Sequence, residues 1–212
     1  MNRKLKLIYR RLYAHFGPQR WWPAESAFEV MVGAILTQNT NWSNVEKAIS
    51  NLKKENVLAP AKLYNLSEGK LARLIQPSGY YNLKARRLKE FLKFFLNNYA
   101  GSIKKISAAR FPLLRKELLS VKGIGPETAD SILLYALNKP VFVVDAYTKR
   151  ILSRHKLLKE DAGYEEAQDL FIAGLKKNAR LFNEYHALIV ALAKAYCSKT
   201  KPKCAACPLD FS

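Results

Sequence analysis

The chain is short of acid, of glycine and proline, of cysteine and of long apolar runs. No uninterrupted stretch of about 18 apolar residues occurs, which excludes a membrane-spanning helix. Nine glycines and nine prolines are too few for a collagen-like or low-complexity chain. The three cysteines, Cys197, Cys204 and Cys207, are odd in number and crowd the C-terminal end, so they read as ligands and not as a disulfide framework. The basic first residues, Met1 to Arg11, have no apolar segment behind them, which argues against secretion and for an intracellular place.

Acid is the scarcest of these relative to its partner. Seventeen Asp and Glu face 36 Lys and Arg, a formal net charge of +19 over 212 residues. With 49% hydrophobic residues there is enough apolar side chain for a packed core, so a disordered basic tail is excluded. Spread evenly, such a charge opposes folding; gathered on one face, it binds anions. A polyanion rewards many weak Lys and Arg contacts through counterion release, so nucleic acid is the leading partner.

Apolar residues recur at helical spacing almost throughout. Leu5, Ile8, Leu12 and Phe16 mark a first amphipathic helix, and 25–36 is apolar enough to be a buried central one. Helices follow over about 43–54, after Pro60 and Ser67, and over 82–99. That last segment carries Leu83, Leu88, Phe91, Leu92, Phe95 and Leu96 on its apolar side and Lys84, Arg86, Arg87, Lys89 and Lys93 on a solvated basic side. Further helices are expected over 111–121, from Pro126 to about 138, and over 145–158, 164–176 and 181–196. The run 141–144 is strand-like but too short and isolated to build a sheet. The fold class is all-α.

Val121-Lys122-Gly123-Ile124-Gly125-Pro126 joins two of these helices by a short turn. Gly123 and Gly125 permit positive φ and leave the backbone uncovered. The helix starting at Pro126 offers free N–H groups, on which a phosphate can sit without any base being read. Twenty residues after Gly125 an acid, Asp145, follows the apolar run Val143-Val144. At this point the chain resembles the helix-hairpin-helix DNA glycosylases of the endonuclease III superfamily. The hairpin is similar to their L-x-G-[IV]-G pattern, with Lys122 where proline is commoner. FEVMVGAILTQNT, residues 28–40, resembles the helix and loop carrying the family's glutamine, here Gln38. Gly79-Tyr80-Tyr81-Asn82-Leu83-Lys84 resembles its G-x-Y-N-x-K turn.

The resemblance implies a two-lobed fold. A helical barrel domain covers 24–138 with the hairpin, and a second helical lobe covers 1–23 and 139–212 with a C-terminal iron–sulfur cluster loop. It also implies roles. Asp145 is the catalytic carboxylate, stabilising positive charge on C1′ and orienting the attacking water. Gly123, Ile124 and Gly125 hold the DNA backbone, and Gln38 and Tyr80 fill the gap left by a flipped-out base. Bifunctional members carry a lysine two residues after the second glycine. Here that position is Glu127, which cannot form an imine, so strand cleavage is not expected.

Trp21, Trp22 and Trp42 are the entire tryptophan supply and bracket the Gln38 loop. With Glu127 they are the candidate base pocket, because flat aromatic walls suit a cationic alkylated purine. WWP, LTQNT, PSGYYN and the G-I-G-x-E hairpin together resemble the 3-methyladenine branch. Six residues separate Cys197 from Cys204 and two separate Cys204 from Cys207. This matches the family's [4Fe–4S] loop, whose fourth ligand would fall at position 213, one past Ser212, so three of four ligands lie in these 212 residues. The reading is a monofunctional glycosylase acting as a monomer on double-stranded DNA. The alternatives are an endonuclease III-like glycosylase/AP lyase on oxidised pyrimidines, a mismatch uracil or thymine glycosylase, and a non-catalytic binder of damaged DNA.

Overall fold

A computed structural model describes residues 2–210, and those residues form helices and no strand. The helices are α1 (Asn2–Phe16), α2 (Ala27–Leu36), α3 (Trp42–Lys54), α4 (Pro60–Asn65), α5 (Glu68–Leu74), α6 (Tyr81–Tyr99), α7 (Ile103–Ala108), α8 (Phe111–Ser120), α9 (Pro126–Ser131), α10 (Ala146–Arg154), α11 (Tyr164–Gly174) and α12 (Ala179–Ala195). Short polar residues start many of them. Ser26, Asn41, Ser67, Ser102, Asp145 and Asn178 each accept a backbone N–H three residues on. Two departures from periodicity stand out. Helix α7 is a short capped helix of 6 residues that the apolar spacing does not announce. Beyond Ser131, α9 continues as a π turn over Ile132–Ala136.

The chain divides into two compact units, Ala24–Leu137 and Met1–Pro23 with Asn138–Ser212. In the first, α2 is buried along almost its whole length and packs on α3, α6, α9 and the π turn. Its Phe28 stacks on Phe95 of α6, which stacks in turn on Phe91. Its one buried acid, Glu29, bonds the backbone N–H of Glu25 and pairs with Lys53 at 2.9 Å. A second buried acid, Asp130, receives both Nε and Nη2 of Arg115 at 2.7 and 3.0 Å, the fork geometry that makes such pairs strong.

In the second unit α1 packs on α11 and α12, and α12 packs on α10. Phe142, Phe171, Phe182 and Tyr185 form an aromatic cluster, and the Tyr185 hydroxyl donates to the Leu5 carbonyl at 2.8 Å. The apolar run Val141 to Val144 is buried but extended and unpaired with any strand among the described residues.

The expected basic face of α6 needs correction. Lys84 is 1% exposed, and its ammonium donates to the carbonyls of Leu36 (2.8 Å) and Ser78 (2.6 Å). Burial, reinforced by Arg87, lowers its pKa to about 8. Lys89 turns its ammonium onto the Tyr64 and Leu66 carbonyls. Leu83, expected inside, is 40% exposed.

Candidate active site

The hairpin between α8 and α9 is held by its two glycines in different ways. Gly123 has φ +90°, and a Cβ there would lie 2.4 Å from Cγ of Arg87, so glycine is required by backbone and by space. Gly125 departs from expectation, because φ −94° and ψ 178° are ordinary extended values. A Cβ on it would meet nothing within 4 Å, so this stretch of backbone is open on that side. The Ile124 side chain is 5% exposed and anchors the turn from below, leaving only its backbone for a ligand. Lys122 and Glu127 are both exposed.

Gln38 lies in the turn just after α2, and its amide is turned onto the hairpin. Nε2 donates to the Gly123 carbonyl (3.1 Å) and the Thr128 hydroxyl (2.9 Å), while Oε1 accepts from Arg87. The next residue, Asn39, is exposed with φ +54°. Tyr80 stands at the start of α6 with φ +45° and 68% exposure, after Gly79 at φ +68°. Arg87 and Lys84, one turn apart on α6, therefore tie together the Gln38 turn, the Tyr80 turn and the hairpin.

In the other unit, the extended run 141–144 delivers Asp145 to the N-terminus of α10. Gln168 fixes that run by donating to the Phe142 carbonyl at 2.6 Å, and the Tyr164 hydroxyl accepts the Val144 N–H at 3.4 Å. Asp145 Oδ1 accepts both the backbone N–H (2.7 Å) and the hydroxyl (2.9 Å) of Thr148. Oδ2 faces Nε2 of His186 at 3.5 Å, with side-chain exposures of 15% and 8%. Burial pushes the Asp145 carboxyl up. The His186 imidazole facing Oδ2 and the two Thr148 bonds outweigh it and hold the group below the usual carboxylate range. An ionised carboxylate in a mostly dry setting is suited to stabilising a cation that forms beside it. Lys149, a lysine close to Asp145 in sequence, gives its ammonium to the Ala162 carbonyl at 2.9 Å.

The last turns of α10 clamp the cysteine segment. Arg150 donates to the Cys197 carbonyl at 2.9 Å, and Arg154 donates to the Cys197 sulfur at 3.2 Å and to the Ser198 and Lys199 carbonyls. The Leu209 N–H points at the Cys207 sulfur at 3.4 Å. Burial, with Cys197 and Cys204 close by, raises the Cys207 thiol. N–H donors onto two of the sulfurs suit thiolate ligation. Among the described residues no three His, Cys, Asp or Glu side chains converge on a point where a metal ion would sit. Trp21 and Trp22 lie with ring centroids 5.5 Å apart and planes tilted by 60°. Trp42 donates its indole N–H to Glu46, one turn along α3, at 2.7 Å.

Residues 32–177 match the family model of the HhH-GPD superfamily base excision DNA repair proteins. The chain belongs to this superfamily. A Methanocaldococcus jannaschii protein, named provisionally as a DNA repair glycosylase, is 52% identical over 203 residues, covering 95% of this chain and 92% of its own length. The solved structure of the H. pylori 3-methyladenine DNA glycosylase, bound to 1,N6-ethenoadenine, is 33% identical. It has a TM-score of 0.77 and covers 91% of this chain and 96% of its own. A trapped endonuclease III–DNA covalent intermediate shares the fold at TM-score 0.84 and 19% identity, over 99% and 93% of the two chains. The protein is thus a DNA glycosylase of base excision repair, all-helical, in the HhH-GPD fold.

Within this glycosylase the motifs supply the obvious chemical groups and miss the side chains that hold them. Arg87 and Thr128 fix Gln38, Thr148 and His186 fix Asp145, and Arg154 fixes the cysteine segment. One sign was available for His186. It lies on α12 in phase with the buried Phe182, Tyr185 and Ile189, and a polar residue on a buried stripe needs a partner.

Proposed function

We propose that this chain is a monofunctional glycosylase that hydrolyses the N-glycosidic bond of a damaged base in duplex DNA, with alkylated purines as the substrate class. The observation that carries the reading is Asp145, a largely buried carboxyl at the N-terminus of α10 with Thr148 on one oxygen and His186 facing the other. As the bond to the base breaks, positive charge grows at C1′. At about 3.5 Å and an effective dielectric near 20, a fixed negative charge stabilises it by roughly 5 kcal/mol at most. The same oxygen orients the attacking water.

The hairpin backbone around Gly123 and Gly125 would seat a DNA phosphate, and Tyr80, exposed and held out on a left-handed turn, would fill the space of the flipped base. Gln38, in the turn after α2 and already bonded to the hairpin and Arg87, would help fill the same space. Trp21 and Trp22 supply aromatic faces for an electron-poor base. The likeness to a glycosylase named for 3-methyladenine supports the alkylated-purine class. Glu127, in the position where lyases carry lysine, supports water as nucleophile.

The test is a panel of lesion duplexes, each treated with and without alkali. Alkylated-purine duplexes are expected to break only after alkali, and borohydride is expected to trap no covalent complex. Cleavage without alkali would make the protein a lyase, and no release from any lesion would leave only a binder.

Cys197, Cys204 and Cys207 would hold an iron–sulfur cluster, with the sulfur-directed N–H donors offsetting thiolate charge. When bound, it would brace the loop that α10 clamps. Anaerobically purified protein should then absorb visible light and bleach with chelator; a colourless preparation without iron would sink this assignment.

A further inference from the structure

We infer that His186 is a positioning residue for Asp145, aiming the carboxylate oxygen that Thr148 leaves unoccupied. The inference rests on the reading of Asp145 as the carboxylate that acts at C1′. Thr148 occupies Oδ1 twice, through its backbone N–H and its hydroxyl. That leaves Oδ2 as the oxygen able to serve a reacting centre, and the group facing Oδ2 is Nε2 of His186.

The imidazole is placed by the core. His186 sits in the middle of α12 among the buried Phe182, Tyr185, Leu188 and Ile189, and its ring meets Phe142 edge-on at 6.3 Å. Phe142 belongs to the same extended run that delivers Asp145. Histidine and aspartate are thus fixed from opposite ends of one short piece of packing, 41 positions apart in sequence. Asp145 faces His186 from the N-terminus of α10, Phe142 faces it from the extended run, and the Tyr164 phenol of α11 meets the backbone beside Asp145. Thr148, the other group on the carboxylate, does not titrate.

Two consequences follow. A carboxylate bonded on one oxygen alone swings about its Cβ–Cγ bond less freely when the second oxygen also has a partner. A partner on Oδ2 also favours the ionised acid over the protonated one, the direction in which His186 moves Asp145. Without the imidazole, burial would act on Asp145 with only Thr148 against it, and the carboxyl would titrate at higher pH. Activity that needs ionised Asp145 would then be lost earlier as pH falls.

The experiment compares wild type, His186→Phe and His186→Gln on the lesion duplex found by the panel. It measures single-turnover base release across pH, equilibrium DNA binding, and the Asp145 carboxyl titration by carbon NMR. His186→Phe should release base about 10- to 100-fold more slowly at neutral pH, with DNA affinity within about threefold of wild type. Its acid limb and its Asp145 titration should both move up by about one pH unit. His186→Gln, which can still donate to Oδ2, should recover most of the rate at higher pH while keeping the raised acid limb. An unshifted acid limb and Asp145 titration in both variants would overturn the inference, whatever happened to the rate. The NMR titration reads the His186 effect even on a chain that releases no base. That result would end the glycosylase reading and, if the Asp145 titration still shifted, would leave the His186–Asp145 coupling standing. Should His186→Phe fail to fold, the Gln variant carries both readings.

Discussion

Asp145→Asn should slow base release by about a thousandfold or more and leave DNA binding and the fold nearly intact. A Coulomb term of roughly 5 kcal/mol, at about 1.4 kcal/mol per decade, sets a ceiling of three to four decades on what the charge can supply. The substitution is informative because it separates the two jobs of this residue. As the N-cap of α10, Asp145 accepts the Thr148 N–H through Oδ1, and asparagine caps helices about as well as aspartate. The variant should therefore unfold within about 1 kcal/mol of wild type. Asp145→Ala removes the cap as well and should cost about 1 kcal/mol more. Single-turnover kinetics on the lesion duplex, with a binding isotherm for each variant, measures this. Turnover that survives in Asp145→Asn would take the residue out of the chemistry and leave it a cap.

Much of the fold is legible in the sequence because most of it is amphipathic helix, and helices of this kind are set by local spacing and caps. The errors occur where tertiary structure overrides the local pattern. In α6 the buried stripe runs through Lys84, Leu88, Phe91 and Phe95, at steps of three and four. Leu83 lies off that phase and stays outside. A reading by residue type puts leucine in and lysine out; a reading by phase puts Lys84 in and asks for its partners. Those partners are two carbonyls, one of them 48 residues away, and no local rule names them. Gly125 shows the same limit. A glycine announces a place where a side chain is unwelcome, but not whether the reason is φ or the approach of something else.

The candidate site divides similarly. The family resemblance singles out Gln38, Tyr80 and Asp145, and clustering at one end of the chain singles out the cysteines. The residues that orient them are distant in sequence. Arg87 lies 49 positions from Gln38, and Thr128 lies 90 from it. Long-range pairs of this kind follow from how helices pack, which the sequence of either partner alone does not state.

Lys84→Met should destabilise the protein by about 2 kcal/mol at pH 7 and weaken DNA binding, since it releases the turn carrying Gln38 and the turn carrying Tyr80 together. Methionine fills nearly the same volume but donates nothing. Each buried carbonyl left without a donor costs about 1–3 kcal/mol, and the desolvation of the ammonium that is recovered offsets only part of this. The sign of the pH dependence distinguishes this origin from simple packing. Lys84 has a pKa of about 8 in the folded chain, against 10.5 when unperturbed. Between those values the unfolded chain holds a proton that the folded one has released, so the wild type gains stability as pH rises through the window. Lys84→Met has no such gain. The stability gap between the two, measured by denaturant unfolding at pH 7 and again near pH 9.5, should therefore widen. A constant gap would mean that the packing of the stem, and not the buried amine, accounts for the loss. A gap that closes would mean that the ammonium is favoured by its two carbonyls more strongly than burial opposes it.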